Sequence, residues 1–317
     1  MHAGRPKSDL HSKFQPVTGV LKLLPSQSLD NARGVQEPSV VEDENGLNIY
    51  YSVQLSESVN YICLATATRI EDAWTTQPSP VIGMGFGGAP ANRQAHSSFV
   101  FKYDSYYYCL ATNGYGFSAP GEDRNIYMYR SVDGVTFTDL GLLIDKSIIP
   151  GAAGFGNSCL QPTAVNGRFE MLVEASVDGV WKIFRLSSAN IDSGWTYTNS
   201  MSGLEVVPGG MYGGPQLIYF GGTWHIFYHY GASAGNLPTY LGYATSEDLV
   251  TLERKETPMF AIEARPYDDD TDQIADPFVI EIGGKCYLLA EYCENAGEYH
   301  SQIWMWLFNG NFDELIS

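Results

Sequence analysis

Apolar positions along this chain come as paired short runs parted by a turn, and the pair recurs five times. The copies open at Glu37-Pro38-Ser39-Val40-Val41, His96-Ser97-Ser98-Phe99-Val100, Gln161-Pro162-Thr163-Ala164-Val165, Gly214-Pro215-Gln216-Leu217-Ile218 and Asp276-Pro277-Phe278-Val279-Ile280. With Pro38, Ser98, Pro162, Pro215 and Pro277 as markers, the spacings are 60, 64, 53 and 62 residues. A β-rich unit of that length, repeated, predicts propeller blades. The expectation is an all-β, five-bladed β-propeller forming one domain over residues 1–317, with blades opening near 37, 96, 161, 214 and 276 and residues 1–17 as an extended arm.

Turn chemistry supports the pairing. Gly283-Gly284, Gly221-Gly222 and Asn166-Gly167 join the two runs in copies five, four and three, and Glu44-Asn45-Gly46 does so in copy one. Such pairs favour tight hairpins. Copy two turns near Asp104-Ser105 and is the weakest match, lacking both proline and glycine. Outer hairpins carry a second signature, Ser131-Val132-Asp133-Gly134 and Ser246-Glu247-Asp248-Leu249, whose short polar side chains can bond nearby backbone. Ala73-Trp74 and the segment ending at Trp195 occupy the corresponding place in the first and third copies. The last copy is one strand short. The apolar segment Thr18 to Leu24 is predicted to complete the fifth blade and close the ring, leaving no open sheet edge.

Composition narrows the partners. A net charge of -18 disfavours nucleic acid and polyanionic substrates, although one local basic pocket would override the global sign. No apolar stretch is long enough to cross a bilayer, so no membrane association is expected and the fold is read as soluble. The basic start followed by a polar segment is not a secretory signal, and neither compartment nor oligomeric state is assigned. Cys63, Cys109, Cys159, Cys286 and Cys293 show no Cys-x-x-Cys spacing, which predicts neither a disulfide framework nor a zinc site.

Candidate chemistry follows from the repeat. Residues opening the first run and ending the second should share one mouth of the channel. The opening set is Glu37, His96, Gln161, Gly214 and Asp276; the returning set is Ser52, Thr112, Glu174, His229 and Glu291. Glu174, His229 and Glu291 each lie seven residues after the turn glycines Gly167, Gly222 and Gly284. Carboxylates crowded around one channel separate acid from base, as glycosidic bond cleavage requires. Glu37, Asp276, Glu174 and Glu291 are therefore the catalytic candidates, and His96, Gln161, His229 and Arg93 the substrate-binding ones. Glycine-rich connections carry Phe86, Phe155 and Tyr212, predicted to stack on sugar rings at the rim. Each of these residues also has a purely structural alternative: turn bonding for Glu37 and Asp276, solvation for strand-end acids, and backbone bonding for the histidines. The acidic stretch Glu263 to Asp272 lacks the ligand spacing of an EF-hand and reads as a solvated loop. No cofactor is required, no metal ligand is assigned, and a structural calcium ion in or near the channel is compatible with so many oxygens.

Glu37-Pro38-Ser39-Val40 with Tyr50-Tyr51-Ser52 resembles the first blade of the five-bladed glycoside hydrolases of families 43, 32, 62, 68 and 117. Tyr243-Ala244-Thr245-Ser246-Glu247-Asp248-Leu249 is similar to their blade-end motif, and Ala275-Asp276-Pro277-Phe278 to their Asp-Pro motif. His96-Ser97-Ser98 is similar to the channel histidine segment of family 43. The resemblance implies a glycosidase, family 43-like, acting on an oligo- or polysaccharide, by inversion if nearer family 43 and by retention if nearer family 32. Two features depart from the pattern: Glu37 stands where those families have aspartate, and the segment carrying their acid is absent. A non-catalytic, carbohydrate-binding propeller is the alternative.

Overall fold

The structure is a computed structural model that describes residues 13–16, 34–56, 59–86, 94–113, 124–231, 238–255, 259–261, 273–294 and 300–317. Among these residues the fold is almost entirely β. After β1 (Gln15–Pro16), the chain runs through β2 (Gly34–Asp43), β3 (Gly46–Ser56), β4 (Val59–Ala67) and the short β5 (Thr75–Thr76). A second antiparallel meander follows as β6 (His96–Tyr103), β7 (Tyr106–Thr112), β8 (Ile126–Ser131) and β9 (Phe137–Ile144). The third is β10 (Ala152–Leu160), β11 (Phe169–Val177), β12 (Val180–Ser188) and β13 (Thr196–Ser200). The fourth is β14 (Tyr212–Phe220), β15 (Thr223–Gly231) and β16 (Pro238–Ser246), with β17 (Glu253–Arg254) and β18 (Phe260–Ala261) both paired to β16. The last is β19 (Gln273–Ile282), β20 (Lys285–Glu294) and β21 (His300–Phe308), followed by α1 (Phe312–Ile316). Hydrogen bonding groups these into four sheets, because a parallel contact between Gly34 and Ser301 joins the first and last meanders into one of eight strands.

Period-two alternation explains how the meanders pack. Leu47, Ile49, Tyr51 and Val53 on β3 face Phe278, Leu289 and Ile303 of the last meander, while Tyr50 faces Val100, Cys109 and Tyr129 of the second. Three further clusters join the second to the third meander, the third to the fourth and the fourth to the last. Side chains in matching register stitch neighbours together. Ser39 Oγ accepts from Val100 N at 3.1 Å, and Gln216 binds both the amide and the carbonyl of Val279, at 2.6 and 2.8 Å.

The turns behave as their sequences demand. Asn166-Gly167, Gly221-Gly222 and Gly283-Gly284 are left-handed at both positions. So are Asp104 (φ 46°) and Ser105 (φ 66°), so the copy without glycine still makes the same tight turn, with short polar side chains accepting the strain. In the outer hairpins Ser131 Oγ accepts from Gly134 N and Ser246 Oγ from Leu249 N. Trp74 and Trp195 make the same bond to a carbonyl four residues earlier, both at 3.3 Å.

One expectation changes. The third copy does not open at Gln161-Pro162: Cys159 pairs with Leu172 as Ser39 pairs with Tyr50, which puts Asn157-Ser158 at the opening. Pro38, Ser98, Ser158, Pro215 and Pro277 are then spaced by 60, 60, 57 and 62 residues, and Pro162 was a chance match in the following turn. The segment from Thr18 to Leu24 lies outside the described residues. Among the described residues, Gln15 and Pro16 pair with Leu307 and Trp306 on β21. Beside it Lys13 Nζ donates to the carbonyl of Leu315 at 2.9 Å, so the described ends of the chain meet.

Candidate active site

Every inner strand carries a β-bulge at one level: between Gln36 and Ser39, His96 and Phe99, Phe155 and Ser158, Gly213 and Gln216, and Ala275 and Phe278. A bulge inserts one residue and re-aims its side chain. Glu37, Ser97, Gly214 and Asp276 at these bulges are left-handed, with φ of 52–54°. Three of the four are not glycine, and backbone strain of this kind collects at functional positions.

The bulges and the returning strands together line a cavity of about 280 Å³. Glu37, Glu174, Asp276, Glu291, His96 and His229 all face it, with Gln36, Ser97, Asn157, Arg124 and Trp181 among its other walls. On one side Gln36 Nε2 donates to Glu291 Oε1 at 3.0 Å and His96 Nε2 lies 3.2 Å from Gln36 Oε1. Ser97 Oγ lies 2.8 Å from His96 Nδ1 and donates to Glu37 Oε1 at 2.9 Å. On the other side Asn157 Nδ2 donates to Asp276 Oδ1 at 2.5 Å, and the backbone amides of Gly214 and Asn157 donate to Glu174 Oε2 at 3.2 and 3.4 Å. His229 Nδ1 lies 3.2 Å from the amide of Asp276 and 3.3 Å from its Oδ1, while the buried Nε2 has no protein partner.

Burial and mutual repulsion sort these groups. Burial, then the charge of Asp276, pushes Glu37 up to about 8. Burial first, then the charge of and a hydrogen bond to Asp276, raises Glu291 well above the usual carboxylate range. Burial likewise raises Glu174, against the opposing pull of His229. His96 is pushed down to about 3 by burial and by Arg124. For His229 burial favours the neutral ring, but the hydrogen bond and charge of Asp276, with Glu174, outweigh it and raise the imidazole. Like charges in one buried space cannot all persist, so protons are retained on several of the carboxyls.

Six of the eleven expected site residues thus meet in one cavity. Gln161 does not: its Oε1 accepts from Tyr219 N at 3.2 Å and braces the third meander against the fourth. Phe155 and Tyr212 are not stacking platforms, being 0% and 1% exposed within the core. Phe86 packs edge-on against Tyr129, 5.9 Å between ring centres. Arg93 and the stretch from Glu263 to Asp272 lie outside the described residues. Ser97 was missed although the marker alignment held its signal, since it immediately precedes Ser98 as Glu37 and Asp276 precede their prolines; Asn157 had no such signal until the structure moved the third marker from Pro162 to Ser158. Arg124 and Trp181 had no such signal: one stands just before β8 and the other near the start of β12.

At the fourth bulge Gly214 offers no side chain, and the room is taken. A Cβ there would sit 2.4 Å from Asp276 Oδ1 and His229 Nδ1, and one on Gly213 would sit 2.4 Å from Glu174 Oε1. Glu174, arriving from β11, fills the volume that a side chain from the glycine segment would need.

No protein-family profile and no curated protein matches the chain. Solved structures do. A structure described as "Glycoside hydrolase" superposes with a TM-score of 0.71 at 15% identity, covering 94% of this chain and 93% of the other. A complex of BT0996 and RGII gives 0.72 at 16%, with the same coverage. A β-1,2-mannobiose phosphorylase from Listeria innocua gives 0.65 at 15%, over 98% and 97%. At these identities the likeness establishes the shared fold.

Proposed function

We propose that the chain is a closed five-bladed propeller glycosidase that cleaves a glycosidic bond in a carbohydrate. The observation that carries this reading is the convergence of four carboxyl groups and two histidines on one cavity. The five packed meanders, each sharing a core cluster with its neighbours and the last with the first, support the blade assignment and the closure. The reading is family 43-like on His96-Ser97-Ser98 and Asp276-Pro277, with the acid supplied from a different strand. Asp276, whose charge raises its three neighbours, acts as the base or nucleophile. Glu174 is the acid. Two amides bind its Oε2, leaving Oε1 to carry the proton to the leaving oxygen. Glu37 and Glu291 set the charge balance around Asp276, and His96 and His229 hold sugar hydroxyls. A volume of about 280 Å³ lies at the small end of ligand cavities, which favours removal of a terminal sugar.

A smaller cavity of about 30 Å³ shares Glu37, Ser97, Asn157 and Asp276 with the larger one. Glu37 Oε2, Ser98 Oγ, Asn157 Oδ1 and Ser158 Oγ are buried there without protein partners.

The test is hydrolysis of a panel of aryl glycosides and oligosaccharides by the parent, Asp276→Asn and Glu174→Gln. Turnover in the parent, lost at least a hundredfold in both variants with sugar binding retained, is expected. Sugar binding without turnover in the parent would instead establish a binding propeller, and full activity in both variants would remove this site.

A further inference from the structure

We propose that Met211 is the platform for the leaving group, so that the bond cleaved joins the sugar to a group with an apolar face. This rests on the glycosidase reading and names the leaving-group half of its substrate. Met211 immediately precedes β14 and stands half-buried in the wall of the larger cavity. Its carbonyl accepts from Gly231 N on β15 at 3.3 Å, which continues the register of the two strands by one pair. Strand alternation then fixes its direction. Tyr212 turns into the core, 1% exposed. Met211 and Gly213 therefore share the opposite face, about 7 Å apart along the chain. That face meets the acid at Gly213, where a Cβ would sit 2.4 Å from Glu174 Oε1.

The two cavities set which way the leaving group extends. Gly214, Pro215 and Gln216, farther along β14, line the cavity of about 30 Å³, which is too small for a sugar. Met211, on the other side of Gly213, lines the cavity of about 280 Å³. With the leaving oxygen at Glu174 Oε1, the group attached to it extends over Met211. Gly156 and Gly213 flank Glu174 and add no side chain in between. A methionine side chain is unbranched and polarizable, adapts to the surface it meets and gains from contact with an aromatic ring. It has no hydrogen-bond donor and its sulfur accepts only weakly, so it selects by apolar contact and not by the pattern of hydroxyls.

Calorimetric titration of the full chain with methyl and phenyl 1-thioglycosides of the common pentoses and hexoses tests this without turnover, because the thio linkage resists hydrolysis. For each sugar that binds, the phenyl form is expected to bind about tenfold more tightly than the methyl form. Met211→Ala should remove most of that gain, and Met211→Leu, of similar volume, should keep it. Equal affinity for the two forms in the parent overturns the proposal and needs no folded variant. An unchanged preference in a folded Met211→Ala chain also overturns it. A second sugar offers an apolar ring face as well, so thio-linked xylobiose is titrated beside the phenyl form of xylose. A gain that depends on Met211 supports the platform with either one, and the tighter of the two names the source. Phenyl preference through Met211 without hydrolysis of any phenyl O-glycoside leaves the platform standing and defeats the hydrolase reading. Hydrolysis indifferent to the leaving group's size and to Met211 does the reverse. Binding of none of these compounds defeats both.

Discussion

Glu37→Gln should make the protein more stable at neutral pH, although it alters a residue of the candidate active site. Glu37 is buried and its carboxyl is raised from 4.5 to about 8 by burial and by the charge of Asp276. Between those values the unfolded chain releases a proton that the folded chain keeps. Stability is therefore full below pH 4.5, falls as pH rises, and levels off above about 8, where both states are ionised. At 1.36 kcal/mol per pH unit the loss is about 3 kcal/mol at pH 7 and about 5 kcal/mol by pH 8. Glutamine mimics the protonated acid. Its Oε1 can still accept from Ser97 Oγ, and its amide nitrogen takes the place of Oε2, which has no partner in the protein. Urea unfolding from pH 4.5 to 9 should show parent and variant together at the acid end and the variant ahead by a few kcal/mol near pH 8. The gap should shrink in an Asp276→Asn background, where the second cause is gone. A difference that is the same at every pH would refute the reasoning, because Glu37 would then not be holding a proton in the folded state.

Other outcomes follow from the same geometry. Asp276→Asn should lower kcat/KM by about a hundredfold to ten-thousandfold with the unfolding midpoint nearly unchanged; steady-state kinetics beside thermal unfolding separate the two. Gly214→Ala places a methyl 2.4 Å from Asp276 and His229 at a left-handed position, so activity should disappear and the melting temperature fall, whereas Gly221→Ala, with open space around it, should cost about 1 kcal/mol and leave kinetics intact. Phe155→Ala should cost about 3–5 kcal/mol in chemical denaturation, as expected of a core ring; a loss of sugar affinity with stability unchanged would restore its role as a stacking platform.

Much of the fold was legible in the chain because its signals are local. Turn pairs such as Gly221-Gly222 fix where hairpins reverse, and alternation in Leu47, Ile49, Tyr51 and Val53 fixes which face is buried. Both depend only on residues two to four apart. Register counted from those turns also brought Glu174, His229 and Glu291 to one level, and the cavity holds all three. Counting failed at Pro162, where a proline in a turn imitated a marker and displaced the third opening from Asn157 to Gln161. Exposure misled at Phe155 and Tyr212, since a glycine-rich flank says that the backbone bends but not which neighbour covers the ring.

The sequence by itself determined an all-β chain of repeated hairpins with acids and histidines at matching positions. Only the tertiary structure decided that Glu174 fills the space above Gly213 and Gly214, that Asn157 stands at the third bulge, and that Arg124 and Trp181 form one wall. The physical reason is that these contacts join residues dozens of positions apart, from strands whose mutual placement follows from packing between meanders. The protonation of the carboxyl groups follows from that same packing, because a pKa is set by burial and neighbouring charge, and neither is written in the residue's own stretch of chain.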